Sequence, residues 1–479
     1  MGNKIFKMSN FTKTVNYLKK NGIRHAYYAA KERIAEERKC DYSYRAPSVE
    51  ELKAQSRETA DYSELFSIVV PAYETREDFL REMIGSVCRQ SYGGWELIIA
   101  DAGVTGTVER IVKDIIDKLE KENKGNRIKY IRLTENRGIS GNTNAGIEAA
   151  SGDYIALLDH DDFLAPDALY YMVREVRRAK RQGINPVLLY TDEDKYENEN
   201  GCYISPHKKL KFNLDLILSN NYVCHFMAVE ANLMKTLQLR GKFDGAQDYD
   251  LVLRVVGELL NKPTESELSK QIIHIPEILY HWRCHAHSTA ENTASKGYAY
   301  EAGKAALAEF CSGQGWRVEV KHSLHLGFYE ITYLSDILAV RDDVGIVGGR
   351  ILDSHGRICG GALDENGDCM YKGLHKEYSG GITHRAVLKQ DITAADIRFI
   401  QVRPELRGEF EQITGRRYEE RTIRCKTGRT YREIQIADIS GLTCDETGYR
   451  KLSMELGKAA ADKGYRVLWN PDMSVYAGR

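Results

Sequence analysis

A chain of 479 residues is longer than a single hydrophobic core usually serves, so at least two domains are expected. Hydrophobic residues at 42% and charged residues at 29% are those of an ordinary globular protein, and a formal net charge of -1 gives no reason to expect nucleic acid as a partner. Ten cysteines are scattered from Cys40 to Cys444 without a CxxC, which argues against a zinc site and for a reducing compartment. No apolar run reaches the length of a membrane span and no secretory signal precedes the first element, so a cytoplasmic protein is expected.

The first segment, to about Tyr62, is helix-forming and basic, with Lys4, Lys7, Lys13, Lys19, Lys20 and Arg24 set among Phe11, Val15 and Leu18 at helical spacing. Such a helix either lies on an anionic membrane surface as a peripheral contact or packs against the following domain, the commoner use of a short amphipathic helix. From Phe66 short apolar runs alternate with helical stretches: FSIVVP, Arg76 to Gln90, WELIIA, Val108 to Leu119, IKYIRL, Ile139 to Ala150. That alternation predicts an α/β fold with a mostly parallel sheet, whose strands present ligand-binding residues at their carboxyl ends. Pro71, Ala72, Tyr73 and Asp101 sit at such ends, although Tyr73 taken alone reads equally well as a turn tyrosine.

The stretch from Asn136 to Asp167 organises the chain. A turn containing Arg137, Gly138, Ser140, Gly141, Asn142 and Asn144 opens a helix, and its glycines and unsatisfied N–H groups suit a phosphate or a ribose, or simply a helix cap. The apolar run Tyr154 to Leu158 then ends in Asp159, His160, Asp161 and Asp162. Asp159 and Asp161 point the same way along an extended chain, and two close carboxylates repel unless they share a proton or a cation. Hard oxygen ligands suit Mg²⁺ or Mn²⁺ bound together with a substrate's phosphates.

In this order, PAYE, WELIIAD, NRG with GNTNAG, and LLDHDD resemble glycosyltransferase family 2 over roughly residues 64 to 320. The resemblance implies the GT-A fold and inverting transfer from a nucleotide-diphosphate sugar, with a D-x-D motif holding the metal under the diphosphate. It sets Tyr73 against the base and gives recognition of the base to the acid after the second strand; here Asp101 is followed by Ala102 where the family usually has two aspartates. It also assigns the catalytic base to Asp248, in a pair that reads Gln247–Asp248 in place of the family's Glu–Asp. The segment HWRCHAHST resembles the part that folds over the donor, where Arg283 would pair with diphosphate oxygens and His285 would complete the metal shell.

Between these motifs, a helix to about Lys180 precedes VLLYTDEDKY, read as a strand ending in Asp192, Glu193 and Asp194, most simply a solvated turn. NYVCHFMAV reads as a strand, and residues 241 to 256 as a helix with Leu251, Leu253, Val255 and Val256 buried and Asp248 and Asp250 in its first turn. A helix from Ala299 to Phe310 and the strand WRVEV close the domain. The expected organisation is a helical extension at 1–62, the GT-A domain at 63–320 and an α+β domain at 321–479. The ending, KAAADKGYRVLWNPDMSVY, resembles the helix, turn and strand that follow the base in family 2, with Ser453 where the base would stand, which implies an inactive relic of a second transferase. The function that the resemblance implies is transfer of a sugar to a saccharide acceptor, lipid-linked in the family's manner, in surface polysaccharide assembly. A non-catalytic nucleotide-sugar-binding subunit and a metal-dependent nucleotidyltransferase are the alternatives.

Overall fold

The computed structural model describes Leu18 and residues 22–34, 42–122, 126–260, 268–284, 297–381, 383–427 and 430–477. Two compact units emerge. The larger comprises residues 41–212 and 221–314; the smaller comprises residues up to 40, 213–220 and 315–479. Residues 42–62 thus fold with the larger unit and the strand Val318–His322 with the smaller.

The larger unit begins with α1 (Val49–Glu58), capped by Ser48 and Glu51 in a reciprocal capping box. There follow β1 (Phe66–Ala72), α2 (Glu77–Cys88), β2 (Trp95–Asp101), α3 (Thr107–Lys121), β3 (Ile128–Arg132), α4 (Gly138–Ala149) and β4 (Tyr154–Leu157). β1 and β2 are buried almost throughout, as continuous apolar runs must be when helices cover both faces of a parallel sheet. The chain continues through β5 (Phe163–Leu164), α5 (Ala168–Arg181), β6 (Leu188–Glu197), β7 (Cys202–His207), β8 (Met227–Glu230), α6 (Ala231–Leu237), α7 (Gln247–Leu260), β9 (Ile272–Cys284) and α8 (Gly297–Gly313).

These strands form one sheet in the order β3-β2-β1-β4-β8-β6-β9-β5, with β7 paired to β6. The first four are parallel, but β8 lies antiparallel between β4 and β6. The sheet is therefore mixed: β6 and β9 are again parallel, and the antiparallel pairings are those made by β8, β7 and β5. β8 enters at the end where β4 finishes and pairs only with the first residues of β6, Leu188 to Tyr190. This also decides the fate of the run expected to be a strand from Asn220: only Met227–Glu230 pairs, and the residues before it sit as a loop at the carboxyl end of β4. Beneath that end, α4 lies against β1 so closely that a Cβ on Gly146 would stand 2.5 Å from Val69 Cγ1.

The smaller unit contains a helix over residues 22–34, the hairpin β10 (Val318–His322) with β11 (Tyr329–Tyr333), and a seven-stranded sheet. In that sheet β12 (Val344–Leu352) runs parallel to the last strand, β13 (Arg466–Tyr476), which follows α9 (Glu446–Asp462). Its core joins Ile346, Ile397, Ile400, Phe410, Leu456 and Ala460. Ser453 is 1% exposed; its hydroxyl donates to the Tyr449 carbonyl at 2.7 Å and accepts from Ile397 N–H at 2.9 Å, so it closes a packing contact. Among the described residues no helix is long and apolar enough to cross a membrane. Of the basic N-terminal positions, Lys4, Lys7, Lys13, Lys19 and Lys20 lie outside the described residues.

Candidate active site

β4 stops at Leu157, and the four polar residues that follow its apolar run fold into a turn instead of extending the strand. Asp162 is buried: it accepts from Tyr280 Oη and from the Arg283 backbone N–H at 2.7 Å. Burial pushes its carboxyl well up, and Asp161 and Asp159 push it further. The Asp159 side chain is 46% exposed. Burial raises its carboxyl; His225 and His160 pull it down, and Asp161 and Asp248 add to the rise. The tip of β4 and the start of α7, distant in sequence, thus share one electrostatic field.

The loop before β8 supplies the residues that sequence reasoning missed. His225 places Nε2 3.7 Å from Asp159 Oδ2 and Nδ1 3.2 Å from Glu193 Oε2, and its ring stacks on Tyr280 at 4.6 Å. Burial works against the charged imidazole, but Cys224 and Glu193 beside it hold its pKa well above the ordinary value. Asn221 donates to Asp248 Oδ2 at 2.8 Å, and Cys224 Sγ lies 3.6 Å from the same oxygen. Asp248 is therefore oriented by an amide while remaining partly exposed. Its neighbour Asp250 is 1% exposed and held by Arg240 and Arg254, which leaves that acid committed to structure. Gln247 accepts from Gly245 N–H at 2.7 Å and steadies the turn into α7.

The acids of β6 correct the reading of a solvated turn: β6 runs through them, and Asp192, Glu193 and Asp194 are all buried. Side chains alternate along a strand, so Glu193 faces oppositely to its neighbours. Asp192 pairs with His274 at 2.7 Å, and Asp194 with His281 at 2.6 Å and Tyr42 at 2.6 Å. Burial alone would raise the Glu193 carboxyl, but Lys209, His207 and His225 hold it well below the usual range. Lys209 Nζ, 3.4 Å from Glu193, is wholly buried and also donates to the carbonyls of Val223 and His225, so this ion pair ties the loop to β6.

Two groups could hold a cation. Glu193, Cys224 and His225 bring ligand atoms within 4.8 Å of one another, but Lys209 already answers the charge there. Asp159 and Asp161 offer hard oxygens; burial is the main cause of the raised Asp159 carboxyl, and the nearby Asp161 adds to the rise, as expected of two acids close enough to share a cation. This second pair fits Mg²⁺ or Mn²⁺ better. His285 lies outside the described residues.

The other expected contacts divide. Tyr73 is 49% exposed beyond the end of β1, after Pro71 and Ala72. Asp101, facing Ala72 across the sheet, is 1% exposed and accepts from Tyr130 at 2.8 Å, Arg132 at 3.1 Å and Gly103 N–H at 2.8 Å. Glu74, which the motif reading passed over, has φ of 49° and gathers Val104 N–H, Thr105 N–H and the Thr105 hydroxyl, shaping the loop after Ala102. Gly138 has φ of 75°, and Asn142 receives the Arg137 N–H at 3.0 Å while donating to Asn136 at 2.9 Å, so the Asn142 side chain braces the turn. The Arg137 side chain is exposed and pairs with Glu135 at 2.9 Å. Arg283 departs from the expectation of a diphosphate clamp. It lies in β9, 1% exposed, and bonds the Asp161 carbonyl at 2.6 Å, Asn198 at 2.7 Å and Glu82 at 2.8 Å. With each guanidinium nitrogen engaged, it buttresses the acidic turn from behind.

Residues 67–237 match the family described as Glycosyl transferase family 2. An uncharacterized protein, y4gI, of Sinorhizobium fredii is 38% identical over 247 residues, 51% of this chain and 25% of that protein. The O-antigen biosynthesis protein RfbC of Myxococcus xanthus is 34% identical over 258 residues, 53% of this chain and 19% of that protein. The chain thus spans a quarter or less of these two relatives. A crystal structure of S. aureus TarS in complex with UDP-GlcNAc is similar at a TM-score of 0.39 and 15% identity, covering 52% of this chain and 66% of that one.

Proposed function

We propose that the family 2 domain makes this chain an inverting glycosyltransferase that moves a sugar from a nucleotide-diphosphate donor to a saccharide acceptor in polysaccharide assembly. The observation that carries the reading is the convergence of Asp159 and Asp248 on one cleft, with His225 and Cys224 between them. Asp159 and Asp161 would hold a divalent ion, which when bound supplies charge compensation for the diphosphate. Asp248 accepts the acceptor hydroxyl's proton as that oxygen attacks the anomeric carbon, and the bond to the diphosphate breaks on the opposite face. Asn221 keeps the carboxylate aimed, and His225 limits repulsion between Asp159 and its acidic neighbours. The O-antigen role printed for the Myxococcus relative supports the polysaccharide setting. In this reading the smaller unit has no chemistry of its own.

Thermal unfolding with a panel of nucleotide sugars, with and without Mn²⁺, tests the site, because a ligand specific to the folded protein raises its melting temperature in proportion to occupancy. One donor is expected to stabilise the protein only when the ion is present, and Asp161→Ala is expected to abolish that dependence. The same metal-dependent shift in parent and variant would remove Asp161 from the site. Donor binding without transfer to any acceptor would make the chain a binding subunit.

A further inference from the structure

Within the smaller unit, the helix over residues 22–34, the β10–β11 hairpin and the segment 376–389 enclose a cavity of about 210 Å³. That is below the roughly 300–1,000 Å³ of clefts that take drug-sized ligands, so it suits something near the size of a single ring. Its walls combine the aromatic rings of Tyr28, Tyr329 and Tyr333 with polar side chains. Of its five carboxylates, Glu377, Asp215 and Asp472 pair with Arg24, Arg341 and Lys389, and Lys376 adds a further cation, so the lining carries little net charge and suits an uncharged ligand.

Most of those carboxylates are already fixed. Glu32 accepts from Ser379 Oγ at 2.7 Å and Gly380 N–H at 2.8 Å, Glu377 pairs with Arg24 at 3.1 Å, and Asp215 with Arg341 at 2.9 Å. One lining group differs: neither ring nitrogen of His325 has a hydrogen-bond partner among the described residues. His325 stacks on His384 with centroids 3.5 Å apart, and burial pushes it down to about 4, so its neutral ring offers one donor and one acceptor.

We infer that this cavity binds an uncharged sugar ring, as a holding site for the saccharide acceptor within the smaller unit. A sugar presents C–H faces that pack on aromatic rings and a rim of hydroxyls that both donate and accept. Tyr28, Tyr329 and Tyr333 meet the first requirement, and the His325 ring, with one donor and one acceptor, the second. The word acceptor rests on the transferase reading; the sugar site itself does not.

Saturation-transfer NMR and calorimetry on the full chain with glucose, N-acetylglucosamine and maltose test the inference, with inorganic phosphate and UDP as competitors. At least one sugar should bind. Ala29→Trp, which fills the cavity, and His325→Phe, which keeps a ring but removes its hydrogen-bonding nitrogens, should each weaken it by about tenfold or more, the scale of one well-placed hydrogen bond or of lost space. In a transfer assay both variants should raise the acceptor KM and leave kcat and donor binding unchanged. Absence of sugar binding by the parent, equal sugar affinity in both variants, or displacement of the sugar by phosphate overturns the site. Sugar binding that the variants abolish, in a protein that binds no nucleotide sugar, would keep the site and remove the transferase reading.

Discussion

In the smaller unit Arg341 lies wholly buried between Asp215, at 2.9 and 3.1 Å, and Asp343, at 2.7 and 2.6 Å, with Tyr333 completing its bonds. In the larger unit Asp159, Asp161 and Asp162 crowd one turn, burial and mutual repulsion drive the Asp159 and Asp162 carboxyls upward, and Asp248 stands near enough to add to the rise at Asp159. Both arrangements bury acids, but only the first supplies a permanent cation. Buried charge that is fully answered is architecture; charge left partly unanswered around a cleft is free to act on a ligand.

The sharpest way to break this comparison is to remove the cation from the answered cluster. Arg341→Ala leaves Asp215 and Asp343 buried without their partner and should cost about 3–5 kcal/mol in chemical denaturation. A loss below about 1 kcal/mol would put these acids in the class of solvated surface pairs and erase the contrast.

In the unanswered cluster the expected effect is kinetic. Asp248→Asn keeps the amide contact to Asn221 within reach and removes the proton acceptor, so turnover should fall by about 10² or more while donor affinity stays within a few-fold. Unchanged turnover would deny Asp248 the role of base, and an equal loss of donor binding would make it structural.

The smallest effect concerns an acid that blurs the division. Asp391, in the smaller unit, accepts from Leu214 N–H at 2.7 Å and Arg466 at 3.3 Å through one oxygen, while the other is buried without a partner. Burial raises it to about 7, with Arg466 opposing and Asp215 assisting the rise. Because the folded value lies above the ordinary value of 3.8, its contribution to stability is complete below 3.8 and is lost as pH rises through about 7. Stability curves of the parent should therefore fall more steeply between about pH 4 and 7 than those of Asp391→Asn. A parent that gains stability over that window relative to the variant would show that Arg466 dominates.

Several elements were legible without the fold. FSIVVP, WELIIA and the run Tyr154 to Leu158 announce strands by unbroken apolarity, and the helices expected at Arg76 to Gln90 and Val108 to Leu119 fall at Glu77–Cys88 and Thr107–Lys121. The clustering of acids after β4 and the start of α7 were legible as well, since a strand tip and a first helical turn are local features, but the extended path expected through Asp159 and Asp161 is replaced by a turn. NYVCHFMAV was misread for an instructive reason: its apolar composition satisfies a strand, but Asn221, Cys224 and His225 are held as a loop by Lys209 and Glu193 from elsewhere in the chain.

The sequence by itself determined the order of strands and helices in the first half of the larger unit and the clustering of acids at one strand end, because both follow from periodicity and short-range spacing. Only the tertiary structure decided which acids remain available. Asp248 and Asp250 are two residues apart and alike in local context, yet Arg240 and Arg254 neutralise one and Asn221 orients the other. Arg283 looked like a ligand-binding arginine until β9 carried it behind Asp161, 122 residues away in sequence. Ion pairs and hydrogen bonds between distant residues depend on which strands become neighbours, and spacing along the chain carries no trace of that choice.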